Sequence, residues 1–317
     1  MHNFQFDPAD QQLLDAHVSI RDNETRIGQN CFLGLDNPAQ YAILGINEDI
    51  GPQTNLGRPG STEAFSCFAG KFLNMQSNKF VHGKEITIYG QINQSVNFTN
   101  PEKGKLLVEE LDNIVKEHIA QIIKAGKTPI VIGGGHNNAL PIIEACFSVR
   151  QKALDVINLD PHADTRALEG RHSGNSFSYG IHNKWINQYA VLGLHKAYNS
   201  TFILDFLEEN NCTYTFFEDY LMGNSSLVED VKNYCEINHA TSLGIELDMD
   251  SISFMPSSAM GPSGWKLEDA RKYILELKHS KRKISYLHLP EAAPTTSEEK
   301  LIVGKALAYL IHDFIHA

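Results

Sequence analysis

The feature that most constrains this chain is a recurring unit: a short apolar run, a polar or glycine-rich turn, then a stretch with helical spacing. Tyr41–Ile46, Thr128–Ile132, Ala153–Leu159, Ala190–Leu194, Ser242–Asp248 and Lys283–Leu289 are too short for buried helices and read as buried strands. Glu85–Tyr89 and Thr213–Phe217 read as further strands. Between them, Lys105–Ala125 is the clearest helix. Leu106, Leu107, Leu111, Ile114, Val115, Ile119, Ile122 and Ile123 keep the spacing of one buried face, and Gly126 follows as a stop. Shorter helices fall at Ser61–Met75, Pro141–Phe147, Ile203–Glu209, Leu227–Ile237 and Leu267–Leu277. A last one opens on the capping box Thr296-x-x-Glu299 and runs to about Ile315. Strands alternating with helices predict an α/β fold of three layers, a mostly parallel sheet with helices on both faces. No linker or repeat interrupts the pattern, so residues 1–317 read as a single domain, although the first forty or so resist assignment.

In such a sheet the loops after the strands' carboxyl ends gather along one edge. Three of those loops carry metal-type side chains. Gly133-Gly134-Gly135-His136 brings an imidazole, with glycines that let the backbone pass close to a neighbouring strand end. This loop lacks the G-K-[ST] and G-x-G-x-x-G patterns of phosphate and dinucleotide sites. Asp160-Pro161-His162-Ala163-Asp164 follows a second strand, and Asp248-Met249-Asp250 a third. In an extended backbone, residues two apart point the same way, so each loop would aim its acids and imidazole together. Read singly, these are a structural histidine and solvated acidic loops. Together they supply four carboxylates and two imidazoles from three strand ends. Carboxylates packed that closely repel unless cations sit between them, and four of them balance two divalent ions. Oxygens with imidazole suit Mn, Fe or Zn better than Ca or Mg. A pair of such ions lowers the pKa of a shared water toward neutrality, which makes hydroxide without an unusual general base.

The rest of the sequence excludes several classes. A net charge of −11 with no basic run argues against nucleic-acid and anionic-membrane partners. No apolar run approaches the ~20 residues that cross a bilayer. Cys31, Cys67, Cys146, Cys212 and Cys235 are scattered without C-x-x-C spacing, as expected of reduced thiols in the cytoplasm.

The GGGH (133–136), DPHAD (160–164) and GIELDMD (244–250) segments, in that order, resemble the ureohydrolases: arginases, agmatinases and formimidoylglutamases. Asn55-x-Gly57-Arg58-Pro59-Gly60 is similar to an early loop of the formimidoylglutamases, and the GGGH form leans the same way. The resemblance implies an arginase-like fold and two Mn2+ ions per chain. Asp160 and Asp248 would bridge them, His136 and Asp164 completing one site and His162 and Asp250 the other. It also implies hydrolysis of a C–N bond in a linear amidine, a bridging hydroxide attacking a guanidino or formimino carbon to release urea or formamide. Pro290-Glu291-Ala292-Ala293-Pro294 resembles a late family stretch, so Glu291 would hold the cationic nitrogens, a planar cation on a planar carboxylate.

Arg171–Phe177 resembles the family's substrate loop, which makes His172 a candidate proton shuttle, although Ser173 stands at the matching position. Arg58, Asn175 and Ser176 are candidates for holding the substrate's polar end. The family commonly forms trimers and hexamers, so a homo-oligomer is expected. Two departures stand out. Ser251–Pro262 lacks the usual Asp-Pro, which favours a non-catalytic relative binding a ligand or partner through its metals. Glu246 replaces a small or aromatic residue, as support for a metal ligand or as a buried, paired acid. A zinc deacetylase on a similar fold would need a tandem His-His pair, which is lacking.

Overall fold

The apolar runs pair edge to edge in the computed structural model of the chain, which describes residues 3–98, 100–237 and 241–316. Among the described residues the strands are β1 (Phe4–Pro8), β2 (Phe32–Leu33), β3 (Tyr41–Asn47), β4 (Ile86–Gln94), β5 (Thr128–Ile132), β6 (Leu154–Leu159), β7 (Ile186–Leu194), β8 (Thr213–Phe216), β9 (Leu243–Leu247) and β10 (Ile284–Leu289). They form one sheet in the order β1-β4-β3-β5-β10-β9-β6-β7-β8, with β2 beside β4. Only the edge pair β1–β4 is antiparallel.

Both faces are buried, as continuous apolar strands require. Ile43, Ile130, Ile157, Ile245 and Leu287 join Phe65, Phe68, Tyr273, Ile274 and Leu307 in one core. Those partners come from helices Ala64–Phe72, Leu267–His279 and Ser297–His316. The alternate residues Ala42, Leu44, Val131, Val156 and Val191 face a second core with Leu111, Val115, Ile119, Ile142 and Ile143. Helices Pro101–Lys124 and Ala139–Arg150 supply that layer. The three layers expected from the alternation are present.

The order of strands positions the chemistry. β5, β10, β9 and β6 are consecutive at the centre of the sheet. The loops bearing His136, Glu291, Asp248 and Asp160 therefore leave neighbouring strand ends, although the residues lie far apart in the chain.

Local differences from the sequence reading have physical reasons. The long helix begins at Pro101 because the Asn100 side chain accepts the Lys103 N–H at 2.9 Å and proline suits the first turn. β7 already starts at Ile186, where it pairs with β6, and exposed Asn187 and Gln188 hide that start from the apolar pattern. Ser176–His182 forms a short helix although serine and glycine are poor helix formers. The first forty residues hold β1, helix Gln11–His17 and β2, edge elements with little apolar periodicity. The Gly51–Ser61 loop contains the short helix Ile50–Thr54. The capping box at Thr296 and Glu299 forms, its two hydrogen bonds both 3.2 Å.

At the opposite edge of the sheet from the metal-type loops, Arg282 meets Asp155 at 2.5 Å with both side chains fully buried. Removing one member of such a pair strands the other charge. Asp155→Ala is expected to lower stability by about 3–5 kcal/mol in urea unfolding, while a surface change such as Lys305→Ala stays within about 0.5 kcal/mol.

Candidate metal centre

The strand ladders continue past the strand ends and lock the loops together. Gly133 N–H donates to Leu289 O at 3.1 Å, Glu291 N–H to Gly134 O at 2.9 Å, and Asp248 N–H to Leu159 O at 3.1 Å. Gly133 and Gly134 take φ of 84° and 68°, the left-handed region that side chains disfavour. A Cβ on Gly133 would lie 2.9 Å from Ile46 O, which is the close approach expected of this loop. Asp164 and Glu291 also have left-handed backbones, with φ of 50° and 69°. Such strain, of order 1–3 kcal/mol, persists where the surroundings over-determine the conformation.

The acids do not converge by lying along an extended strand. β6 ends at Leu159 and β9 at Leu247, and each next aspartate folds its loop over. Asp160 Oδ1 accepts the His162 N–H at 2.7 Å, and Asp248 Oδ1 accepts the Asp250 N–H at 2.6 Å. Aspartate readily makes such turns with the backbone two residues on. The alternate spacing matters, but through a turn.

The result is a buried imidazole ringed by acids. His136 Nδ1 lies 2.9 Å from Asp164 Oδ2, 3.0 Å from Asp248 Oδ2 and 3.2 Å from Asp160 Oδ2. Among the described residues neither ring nitrogen of His136 has a hydrogen-bond partner of acceptable geometry. The three oxygens crowd one lone pair from directions that suit a shared cation rather than pairwise hydrogen bonds. These four ligand atoms lie within 4.8 Å of one another, and the residues fit a Mn-type ion in donor chemistry. His162 Nδ1 lies 3.5 Å from Asp160 Oδ1. Asp250 is held by the Ala259 N–H at 3.0 Å. His162, Asp164, Asp248, Asp250 and Glu291 line one cavity of about 790 Å3. His162 and Asp250 line the same cavity as Asp164 and Asp248, with His162 beside Asp160, where a second ion could be held.

Electrostatics point the same way. Burial, with the neighbouring Asp250 and Asp160 charges, pushes the Asp248 carboxyl well above the usual range. Burial and Asp160 raise Asp164. Burial and Asp250 push Glu291 up to about 8. Buried acids in mutual repulsion are costly without cations. Glu291 Oε1 accepts the His136 N–H at 2.6 Å, while Oε2 has no partner among the described residues. One acceptor on the cavity wall is left for a ligand.

Other predicted site residues are placed differently. Arg58 does not line the cavity; its guanidinium turns to Glu299, 3.7 Å away. Asn175 is buried among backbone groups, donating to Ala167 O and Gly170 O and accepting from Arg171. The Ser176 hydroxyl donates to His136 O at 2.7 Å. His172 accepts the Gly174 N–H at 3.1 Å and meets Glu169 at 3.2 Å, away from the cavity wall, with burial bringing its imidazole down to about 4. Ser173 lines the cavity instead.

The sequence reading passed over several supports. Glu48, fully buried, accepts the Gly135 N–H, the Asn138 amide and the Gly51 N–H at 2.7, 2.8 and 3.1 Å, pinning the loop that carries His136. Arg171 clamps that loop through Asn137 O at 2.8 Å while pairing with Asp112 at 2.9 Å. Arg166 lines the cavity and is steadied by Asn55 Oδ1 at 3.1 Å. Arg166 sits two residues beyond Asp164, the only signal that could have found it. The Ser251–Pro262 stretch is part of the wall: Ser258 N–H donates to Glu291 O at 2.9 Å and Ser258 O accepts from Arg58 N–H at 2.9 Å.

This arrangement was compared with known proteins. The sequence model of the Arginase family matches residues 39–316. A formimidoylglutamase of Staphylococcus haemolyticus is 25% identical over 281 residues, covering 86% of this chain and 85% of the relative. Among solved structures, formimidoylglutamase from Bacillus subtilis superposes with a TM-score of 0.79 at 15% identity, covering 94% of this chain and 93% of the other. Trypanosoma cruzi formiminoglutamase with Mn2+ superposes with a TM-score of 0.75 at 16% identity, covering 93% and 98%. The structural likeness shows a shared fold, and the family match spans nearly the whole described sheet and every loop of the centre: the chain belongs to the arginase family.

Proposed function

We propose that this arginase-family hydrolase of linear amidine C–N bonds is formimidoylglutamase-like: it hydrolyses an amino acid bearing a formimino group, with two Mn2+ ions held by His136, Asp160, His162, Asp164, Asp248 and Asp250. The observation that carries the reading is the ring of buried carboxylates about His136 Nδ1 at the floor of an open cavity, with an unpartnered oxygen of Glu291 beside it. When bound, a pair of such ions supplies hydroxide at neutral pH and stabilises negative charge developing at the attacked carbon.

The protein's own groups do the rest. A formimino group is a planar cation, and Glu291 presents a planar carboxylate whose other oxygen is already fixed by the His136 N–H. The amidinium is thereby held at the floor with its carbon toward the metal ligands. Arg166, across the wall, offers a cation to the substrate's carboxylate end, a role for which the sequence offered Arg58, Asn175 and Ser176. Hydrolysis joins the oxygen of water to the formimino carbon, breaks the C–N bond and leaves the proton on the departing amine, giving formamide and a free amino acid. A guanidino substrate would release urea at the same floor.

The reading includes a cytoplasmic home and a homo-oligomer, trimer or hexamer. The cytoplasmic part draws support from the five cysteines, all free. No helix among the described residues is long and apolar enough to cross a membrane.

Assay of Mn-loaded protein against a panel of formimino and guanidino compounds, scored for formamide and urea, tests the activity; no release from any of them refutes it in favour of a non-catalytic relative. Asp160→Ala and Asp248→Ala are expected to abolish turnover and to leave fewer than two ions per chain by elemental analysis. Glu291→Gln should keep both ions and lower kcat/KM about 100-fold, the scale of losing one side of a buried charge pair. Arg166 is half exposed, so Arg166→Ala should raise KM for carboxylate-bearing substrates only about fivefold, while Arg58→Ala leaves KM unchanged.

A further inference from the structure

Behind His136, on the side away from the cavity, lies an acid that the reaction does not use. Glu246 on β9 stands level with Asn158 on β6 and His288 on β10 and is fully buried. Its Oε2 lies 3.4 Å from His136 Nε2, the ring nitrogen opposite the one ringed by aspartates. Tyr286 Oη donates to Glu246 Oε1 at 2.7 Å, and His288 Nδ1 meets Oε2 at 2.7 Å. The tyrosine reaches it because position 244 is glycine: a Cβ there would lie 2.5 Å from the Tyr286 ring. Both carboxylate oxygens are therefore held, and Glu246 cannot swing away from the imidazole.

We propose that Glu246 is a positioning residue for the metal site, its fixed charge 3.4 Å from His136 Nε2 holding the ring proton on that nitrogen so that the Nδ1 lone pair faces Asp160, Asp164 and Asp248. A neutral imidazole carries one proton and one free lone pair, and an ionised carboxylate can only accept. The aspartates lie closer to Nδ1 than Glu246 does to Nε2, but a cation among them takes up their charge and the Nδ1 lone pair, and the hydrogen is then held on the nitrogen beside Glu246. Partners of this kind fix the tautomer and the ring angle of a metal-binding histidine. His136, Glu246 and His288 have ligand-type atoms near enough together to suggest a further cation site. The direct 2.7 Å contact between Glu246 and His288 assigns them to a hydrogen-bonded support instead.

The inference rests on the metal-centre reading above, and Mn2+ binding separates the two. Apo-protein is titrated with Mn2+ by equilibrium dialysis, bound ions are counted by elemental analysis, and free Mn2+ is read by electron paramagnetic resonance. Glu246→Asp keeps the charge but draws the carboxylate back from His136. One of the two ions should then bind about 10–100-fold more weakly, the scale of losing such a partner. Glu246→Gln keeps the reach and an acceptor oxygen, so it should lose less. Circular dichroism of the apo-proteins checks the fold. Should either variant fail to fold, Tyr286→Phe, which frees Glu246 without touching the ring of ligands, must weaken binding in the same direction. Wild-type affinity in the folded Glu246→Asp protein overturns the inference, as does a greater loss in Glu246→Gln than in Glu246→Asp, or wild-type affinity in Tyr286→Phe where that variant is needed. A third ion per chain that disappears with Glu246→Gln also overturns it, making Glu246 a ligand. Wild-type protein that takes up no Mn2+ overturns both readings.

Discussion

Like charges held together out of water are the constraint on which this structure depends. Asp160, Asp164 and Asp248 arrive from two different strand ends within reach of one imidazole, and Asp250 joins them on the same cavity wall. Nothing in hydrophobic packing would assemble them, since burying a carboxylate costs several kcal/mol and burying its neighbour costs more. The surrounding architecture reads as the means of imposing that encounter. The central strands are apolar on both faces and lock into two cores, so their ends cannot shift relative to one another. The loops then inherit that rigidity through main-chain hydrogen bonds that extend the sheet beyond its strands.

Around this centre the polar supports divide the work by position. Glu48 and Arg171 act on the main chain of the loop that presents His136, one through its N–H groups and the other through a carbonyl. Ser176 takes up the carbonyl of His136 itself. The Asp250 side chain is steadied by the stretch around Ser258, which also braces the backbone of Glu291. That stretch departs from the family pattern in sequence, yet it completes the cavity wall.

Much of this was legible in the sequence because the informative residues are of types that rarely share a strand end by chance. Apolar runs closing on GGGH, DPHAD and LDMD led to the parallel sheet and to the loops that meet. The geometry of the meeting was less legible. Whether Asp160 and Asp248 continue a strand or cap a turn depends on one pair of backbone angles, and the residue types allow both. Side-chain direction in loops was the least legible. Arg58 and Arg166 are both arginines in polar, glycine-containing stretches, and only the fold turns one to Glu299 and the other to the cavity. Asn175 and His172 carry functional chemistry that the loop uses for its own hydrogen bonds. The edge elements before Tyr41 were hidden because a half-exposed strand carries too few apolar residues to announce its period.

The short bond from the His136 amide to Glu291 has a consequence of its own. It ties the main chain that carries the His136 imidazole directly to the acid on the cavity wall. Under the proposed function, an ion that draws His136 into place would also set Glu291, and a cationic guest on Glu291 would steady His136 in return. Occupancy at the floor and recognition at the wall would then be linked reciprocally, each strengthening the other by the same factor.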